Sequence, residues 1–236
     1  MNRRYKRTLA GAMLAAFLLA LPAAHAAADE LHAAYLTGFP DGTIRPEATL
    51  TREQLAQALW RLTEEERRAA LTAPTCFSDV PPSRWSYEAV TAMVNLGVLY
   101  GTGDGAFEPE SGVSGPELAA ALMRIAASED AAAALPGLAD GWSGQELSFA
   151  AGSGWVTGFD GKCFRPDRAL TRAEFAEIIN RLLGRVPDSL DELMLGMPLW
   201  SDNADVEAAY FLTMQEAGTD HTASRTEGGE QWTGLG

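Results

Sequence analysis

Two arginines stand at helix starts, where chemistry and structure compete for them. Arg52 lies in Thr51-Arg52-Glu53-Gln54 and Arg172 in Thr171-Arg172-Ala173-Glu174. In each, a threonine precedes Gln or Glu by three residues, the spacing at which the two side chains reciprocally satisfy the open amides of a first helical turn. A cation just after such a cap faces the positive end of the helix dipole, at a cost of about 0.3–1 kcal/mol. Something has to compensate. One answer is a salt bridge to a nearby carboxylate. The other is function, because a guanidinium beside helix amides suits an anion such as a carboxylate. A third copy, Ser114-Gly115-Pro116-Glu117, keeps the cap but has Gly115 in place of arginine.

The remaining candidate ligand-binding residues are aromatic or sit in loops. Trp85 and Trp142 either stack on a sugar face or anchor a core. Asp79 begins a helix-proximal turn before Pro81-Pro82, which its carboxylate can cap. Asp41-Gly42 and Asp104-Gly105 occupy matching loop positions, while the third pair, Asp160-Gly161, is shifted by one. The run Gly101-Thr102-Gly103-Asp104-Gly105-Ala106 has the glycine spacing of a dinucleotide fingerprint but follows a helical pattern instead of a strand, so the context is wrong. No HExxH, no nucleophile elbow and no distinct carboxylate pair is present, and His32 and His221 are isolated in sequence. The expectation is no enzyme, no metal site and no cofactor.

The elements that position these residues repeat. Gly38 to Pro46, Gly101 to Pro109 and Gly158 to Pro166 share their glycine-to-proline spacing and begin 63 and then 57 residues apart. Each turn-rich loop leads into a capping box and an amphipathic helix, as in Phe175, Ile178, Ile179, Leu182 and Leu183. A preceding helix runs from Trp85 to Gly97 and from Trp142 to Gly154. The first unit has none. Trp200-Ser201-Asp202, followed by Val206, Ala209, Tyr210, Leu212 and Met214, echoes Phe77-Ser78-Asp79 and its helix from the far end of the chain.

Arg3, Arg4, Lys6 and Arg7, the apolar run Leu9 to Leu21 and Ala24-His25-Ala26 have the order of a secretory signal peptide, residues 1–26. Its apolar run is too short for a comfortable membrane span, and none of about 20 residues follows, so no membrane span is expected in the mature chain. The whole chain carries 18 Lys+Arg against 32 Asp+Glu. Processing leaves 14 basic residues and a net charge near −18, which opposes binding to nucleic acid through the overall field. Cys76 and Cys163 are too few for a disulfide scaffold or a zinc site and are read either as separate thiols or as one long-loop disulfide.

Phe77-Ser78-Asp79-Val80, Trp85, the Gly101–Pro109 loop and the Thr171-Arg172-Ala173-Glu174 helix start together resemble the S-layer homology family. The resemblance covers Leu36 to Leu183 and, more weakly, Trp200 to Gly218. It implies an all-α, pseudo-threefold prism of helix–loop–helix repeats whose grooves, with Asp79 as a groove residue, bind cell-wall polysaccharide, often pyruvylated, and hold the protein at the cell surface. The expected organisation is repeat 1 at 31–66 without its first helix, repeat 2 at 76–130, repeat 3 at 137–187, a helix at 197–219 completing repeat 1, and a tail at 220–236. The alternatives are a structural or protein-interaction subunit that no longer holds glycan, and a wall hydrolase.

Overall fold

The computed structural model describes residues 29–140, 168–226 and 229–236. The signal-peptide expectation, Trp142, Cys163 and the loop from Gly158 to Pro166 lie outside them. Helices α1 (Arg52–Leu62), α2 (Glu65–Arg68), α3 (Tyr87–Asn95), α4 (Gly115–Ala127), α5 (Glu129–Ala134), α6 (Pro136–Asp140), α7 (Arg172–Leu183) and α8 (Phe211–Gly218) are joined by strands β1 (Glu30–His32), β2 (His221–Arg225) and β3 (Glu230–Leu235).

Thr51, Ser114 and Thr171 each form both halves of the capping box that their sequences predict. The residue before each cap then builds a junction. Leu50 N–H donates to Leu170 O at 2.8 Å, Leu170 N–H to Val113 O at 2.8 Å, and Val113 N–H to Leu50 O at 2.9 Å, a closed ring of three. All three side chains are buried. Gly112 permits this approach, since a Cβ there would lie 2.7 Å from Ala169 Cβ and 2.9 Å from Thr49 Cγ2. The ring brings the starts of α1, α4 and α7 together over one core. Leu55, Leu59, Met93, Leu118, Ile125, Phe175, Ile179 and Met214 share that core, with α1 packed on α3 and α7 on α8.

The all-α prism is corrected by the chain's end, because the fold is mixed. Where a tail is expected at 220–236, β2 and β3 form a hairpin, and β1 joins it in an antiparallel sheet of order β1-β2-β3. Side chains alternate as strands require: His221, Ala223, Glu230 and Trp232 are buried, while Thr222, Ser224, Gln231 and Thr233 are less so. The inward set mixes ionisable and apolar residues, so no hydrophobic alternation marks the strands. Ala223 and Trp232 pack with Leu193 and Phe211 in a second, smaller core.

Candidate functional site

Arg52 and Arg172 perform the same task on different loops. Arg52 Nε donates to Phe107 O at 2.9 Å and its Nη2 to Tyr100 O at 2.6 Å. Arg172 Nε donates to Ile44 O at 2.9 Å and its Nη2 to Thr37 O at 2.9 Å. Phe107 and Ile44 each lie six residues after the first glycine of their loops, and Tyr100 and Thr37 one before. Each guanidinium also lies over a ring, Arg52 at 4.6 Å from the centroid of Phe107 and Arg172 at 5.1 Å from that of Phe39. Burial, and then the nearby charge of Arg45, pull the Arg172 guanidinium down to about 10. It remains charged at neutral pH.

Carbonyls thus supply most of the compensation these cations need. The helix-start amides, expected to join in binding an anion, are closed off. Arg52 and Glu53 N–H donate to Ser111 O and Pro109 O, and Arg172 and Ala173 N–H to Ala48 O and Pro46 O, all at 2.9 Å. Gln54 and Glu174 N–H go to the capping threonine hydroxyls. Any anion at these sites would have to be met by side chains.

The loop carboxylates shape backbone. Asp79 accepts Phe107 N–H at 2.9 Å and Glu108 N–H at 2.7 Å, and Asp202 accepts Ile44 and Arg45 N–H, both at 2.8 Å. Glu108 and Arg45 adopt positive φ, 57° and 55°, an uncommon state for side-chain-bearing residues that presents successive amides to one carboxylate. Asp41 binds the Thr43 amide and hydroxyl and Arg45, and those bonds hold its carboxyl down at about 2. Asp104 binds the Thr102 hydroxyl and the Ala106 amide, which lower it likewise. Gly42 and Gly105 take φ of 80° and 86° at the exposed tips. Trp85 is 59% exposed, so its ring is a surface group and not a core anchor.

One cavity, of about 260 Å³, opens where Arg52 meets the neighbouring loop. Leu55, Leu99 and Val113 contribute apolar walls, and Tyr100, Glu117 and Arg124 surround Arg52. Arg124 donates Nη1 to Val98 O at 3.0 Å and lies 4.8 Å from the Tyr100 ring centroid. Tyr100 is 55% exposed. Arg52 Nη1 lies 3.9 Å from Glu117 Oε1. The arrangement offers guanidinium donors, an aromatic face and one acceptor.

A family model for the S-layer homology domain matches residues 31–56, 77–119 and 136–176. The chain carries three S-layer homology repeats. Over 164 residues it is 27% identical to a cellulosome-anchoring protein of Acetivibrio thermocellus, covering 66% of this chain and 37% of that one. Over 169 residues it is 25% identical to cell surface glycoprotein 1 of the same organism, covering 66% of this chain and 7% of the relative. The chain therefore spans well under half the length of these relatives. S-layer homology repeats are surface-anchoring modules, and the chain's place is the cell wall or cell surface. No helix among the described residues is long and apolar enough to cross a membrane.

Within the S-layer homology repeats, the structure joins Arg52 to the loop carrying Asp104 and Gly105, and Arg172 to the loop carrying Asp41 and Gly42. It adds Tyr100 and Arg124, which the sequence reading did not single out. Tyr100 carried one signal, its place directly before Gly101, where Thr37 precedes Gly38. A second group went unread. His32, Glu216, His221 and Glu230 are all buried side by side between α8 and the sheet, outside the repeats' cavity. Burial and the neighbouring Glu216 carboxylate together push Glu230 up to about 7, despite a bond with His221.

Proposed function

We propose that the cavity around Arg52 binds an anionic cell-wall polysaccharide and so provides the specific contact by which this surface protein is anchored, in a role without catalysis. The observation that carries the reading is the convergence of Arg52, Arg124 and the exposed Tyr100 ring on one cavity in a chain of net charge −14. A sugar ring stacks on Tyr100, and a carboxylate on it, such as a pyruvate ketal, meets the guanidiniums that the Phe107, Tyr100 and Val98 carbonyls hold in place. Trp85 offers a second exposed aromatic face, with Asp79, Asp41, Gly42, Asp104 and Gly105 setting the loops. Arg172 is the same device in a more buried setting. Export through the leader at residues 1–26 belongs to the same reading.

Binding of the purified protein to purified wall polymer tests this. Arg124→Gln should weaken binding about tenfold or more, since a charge-assisted hydrogen bond contributes roughly 1.5–3 kcal/mol, and Tyr100→Ala should weaken it severalfold, since a ring contact contributes about 0.5–1.5 kcal/mol. Variants that melt like the wild type and bind with unchanged affinity would overturn the site. Retention on isolated walls after chemical removal of polysaccharide would instead make the partner a protein.

A further inference from the structure

We infer that His32, Glu216, His221 and Glu230 form a site for one divalent transition-metal ion of the zinc class, clasping the first strand of the fold to its last two. The residues come from four places. His32 ends β1 and pairs in register with His221 at the start of β2, Glu230 opens β3, and Glu216 lies in the last turn of α8. Their exposures are 5%, 2%, 0% and 1% for His32, Glu216, His221 and Glu230. Each contributes one ligand atom to a set lying within 4.8 Å of one another.

The four side chains lie near the spacing of a coordination shell, each carboxylate turning one oxygen toward each imidazole. His32 Nδ1 is 3.2 Å from His221 Nε2 and 3.4 Å from both Glu216 Oε1 and Glu230 Oε2. His221 Nε2 lies 3.0 Å from Glu216 Oε2 and 3.7 Å from Glu230 Oε1. With metal–ligand bonds near 2.0–2.1 Å, the edges of a tetrahedron are about 3.3–3.4 Å, so a set of one atom per residue lying within 4.8 Å contracts onto one ion by rotation of the carboxylates.

The surrounding bonds point the right atoms inward. His221 Nδ1 lies 2.8 Å from Thr219 O, and donating to that carbonyl leaves the Nε2 lone pair facing the other three ligands. Trp232 Nε1 lies 3.1 Å from Glu216 Oε2 and 3.3 Å from Glu230 Oε1, so one indole orients both carboxylates. The opposite oxygens, Glu216 Oε1 and Glu230 Oε2, are buried with no hydrogen-bond partner, and these are the two that lie 3.4 Å from His32 Nδ1. Orphaned buried carboxylate oxygens are costly, and two of them beside two imidazoles call for positive charge, from a metal ion or from a proton on an imidazole. A divalent ion neutralises the carboxylates where they stand. Two nitrogens and two oxygens in a dry four-fold site favour zinc, or cobalt in its place, over calcium, which takes six or more oxygens.

The competing arrangement is a proton-shared network of the same groups, with the Arg185 charge nearby. Metal-stripped protein in a Cys76→Ser/Cys163→Ser background, where thiols cannot bind zinc, separates the two. Zinc should bind at one ion per chain by elemental analysis, cobalt should give the intense visible bands of a tetrahedral site, and saturating zinc should raise the melting temperature by about 5–10 °C. Glu230→Gln and His32→Gln are near-isosteric, and each should lower zinc affinity at least tenfold and abolish the cobalt spectrum. Folded parent protein that takes up no stoichiometric zinc and melts identically with zinc or chelator would overturn the site. So would wild-type zinc affinity in either variant.

Discussion

The loops at 38–46 and 101–109 are held by the same contacts from opposite directions along the chain. In the second, Phe77 packs on Gly101, Ser78 N–H donates to Gly105 O, and Asp79 takes the amides of Phe107 and Glu108. In the first, Trp200 packs on Gly38, Ser201 N–H donates to Gly42 O, and Asp202 takes the amides of Ile44 and Arg45. Asp79 lies 28 residues from Phe107, while Asp202 lies 158 from Ile44. Chain-closure entropy grows only logarithmically, at about 0.6 kcal/mol per doubling, so the distant closure costs about 1.5 kcal/mol more than the local one. A few buried side chains offset that. The same loop can thus be built locally or by joining the chain's ends, and in the second case the first loop's order depends on the C-terminal segment.

Removing residues from Met197 onward breaks the comparison most severely. It takes away Trp200, Asp202, Met214 and Ala217, together with β2 and β3, and uncovers Tyr35, Leu36 and Ile44. Each large apolar side chain contributes about 1.5–3 kcal/mol, so the loss reaches several kcal/mol and approaches the whole stability of a domain. Circular dichroism and thermal melting should show a largely unfolded chain. An unchanged midpoint would show that loop 38–46 stands without its distant partner.

The two arginines sharpen the contrast within a narrower range. Arg172 is 3% exposed and, when removed, leaves the buried Ile44 carbonyl and the part-buried Thr37 carbonyl without their donors, so Arg172→Ala should cost about 2–4 kcal/mol. Arg52 has a side chain 15% exposed beside an open cavity. Water can reach the carbonyls it abandons, and Arg52→Ala should cost about 1–2 kcal/mol. Urea titrations of both measure the difference. Equal losses would show that burial does not distinguish the two positions. Alanine at these helix starts is acceptable by propensity alone. The sequence therefore suggests harmless substitutions, and the cost becomes visible only once the carbonyl partners are known.

What the sequence revealed was local. Capping boxes need only a spacing of three, and the loops repeat their glycines and prolines, so Thr51, Ser114 and Thr171 and the positions of Arg52 and Arg172 were legible. The targets of those arginines were not, because Ile44 lies 128 residues from Arg172 and a backbone carbonyl carries no sequence signal. The sheet escaped for a related reason. Two of the inward residues of β2 and β3 are His221 and Glu230, which read as polar tail until His32, 189 residues from His221, is placed against them.

The smallest expected effect concerns the paired aspartates. Asp79→Asn and Asp202→Asn each keep one acceptor oxygen and lose the charge facing two amides, so each should cost about 1 kcal/mol at neutral pH. Burial works against ionisation of Asp79, but the Phe107 and Glu108 amides outweigh it and hold the carboxyl below its ordinary value of 3.8. A depressed carboxyl contributes stability that is present above the unfolded value and is lost as pH falls through the folded one. Wild-type urea midpoints should therefore decline below about pH 4, and Asp79→Asn should flatten that part of the acid limb. An acid limb as steep in Asp79→Asn as in the wild type would remove Asp79 from the account. Asp202→Asn carries the comparison further. A loss near 1 kcal/mol would show that the distant closure rests on the half-buried Trp200 and the buried Met214 and Ala217, with the carboxylate adding only the contact its local counterpart adds. A loss as large as that of the truncation would make the Asp202 contact itself what joins the chain's ends.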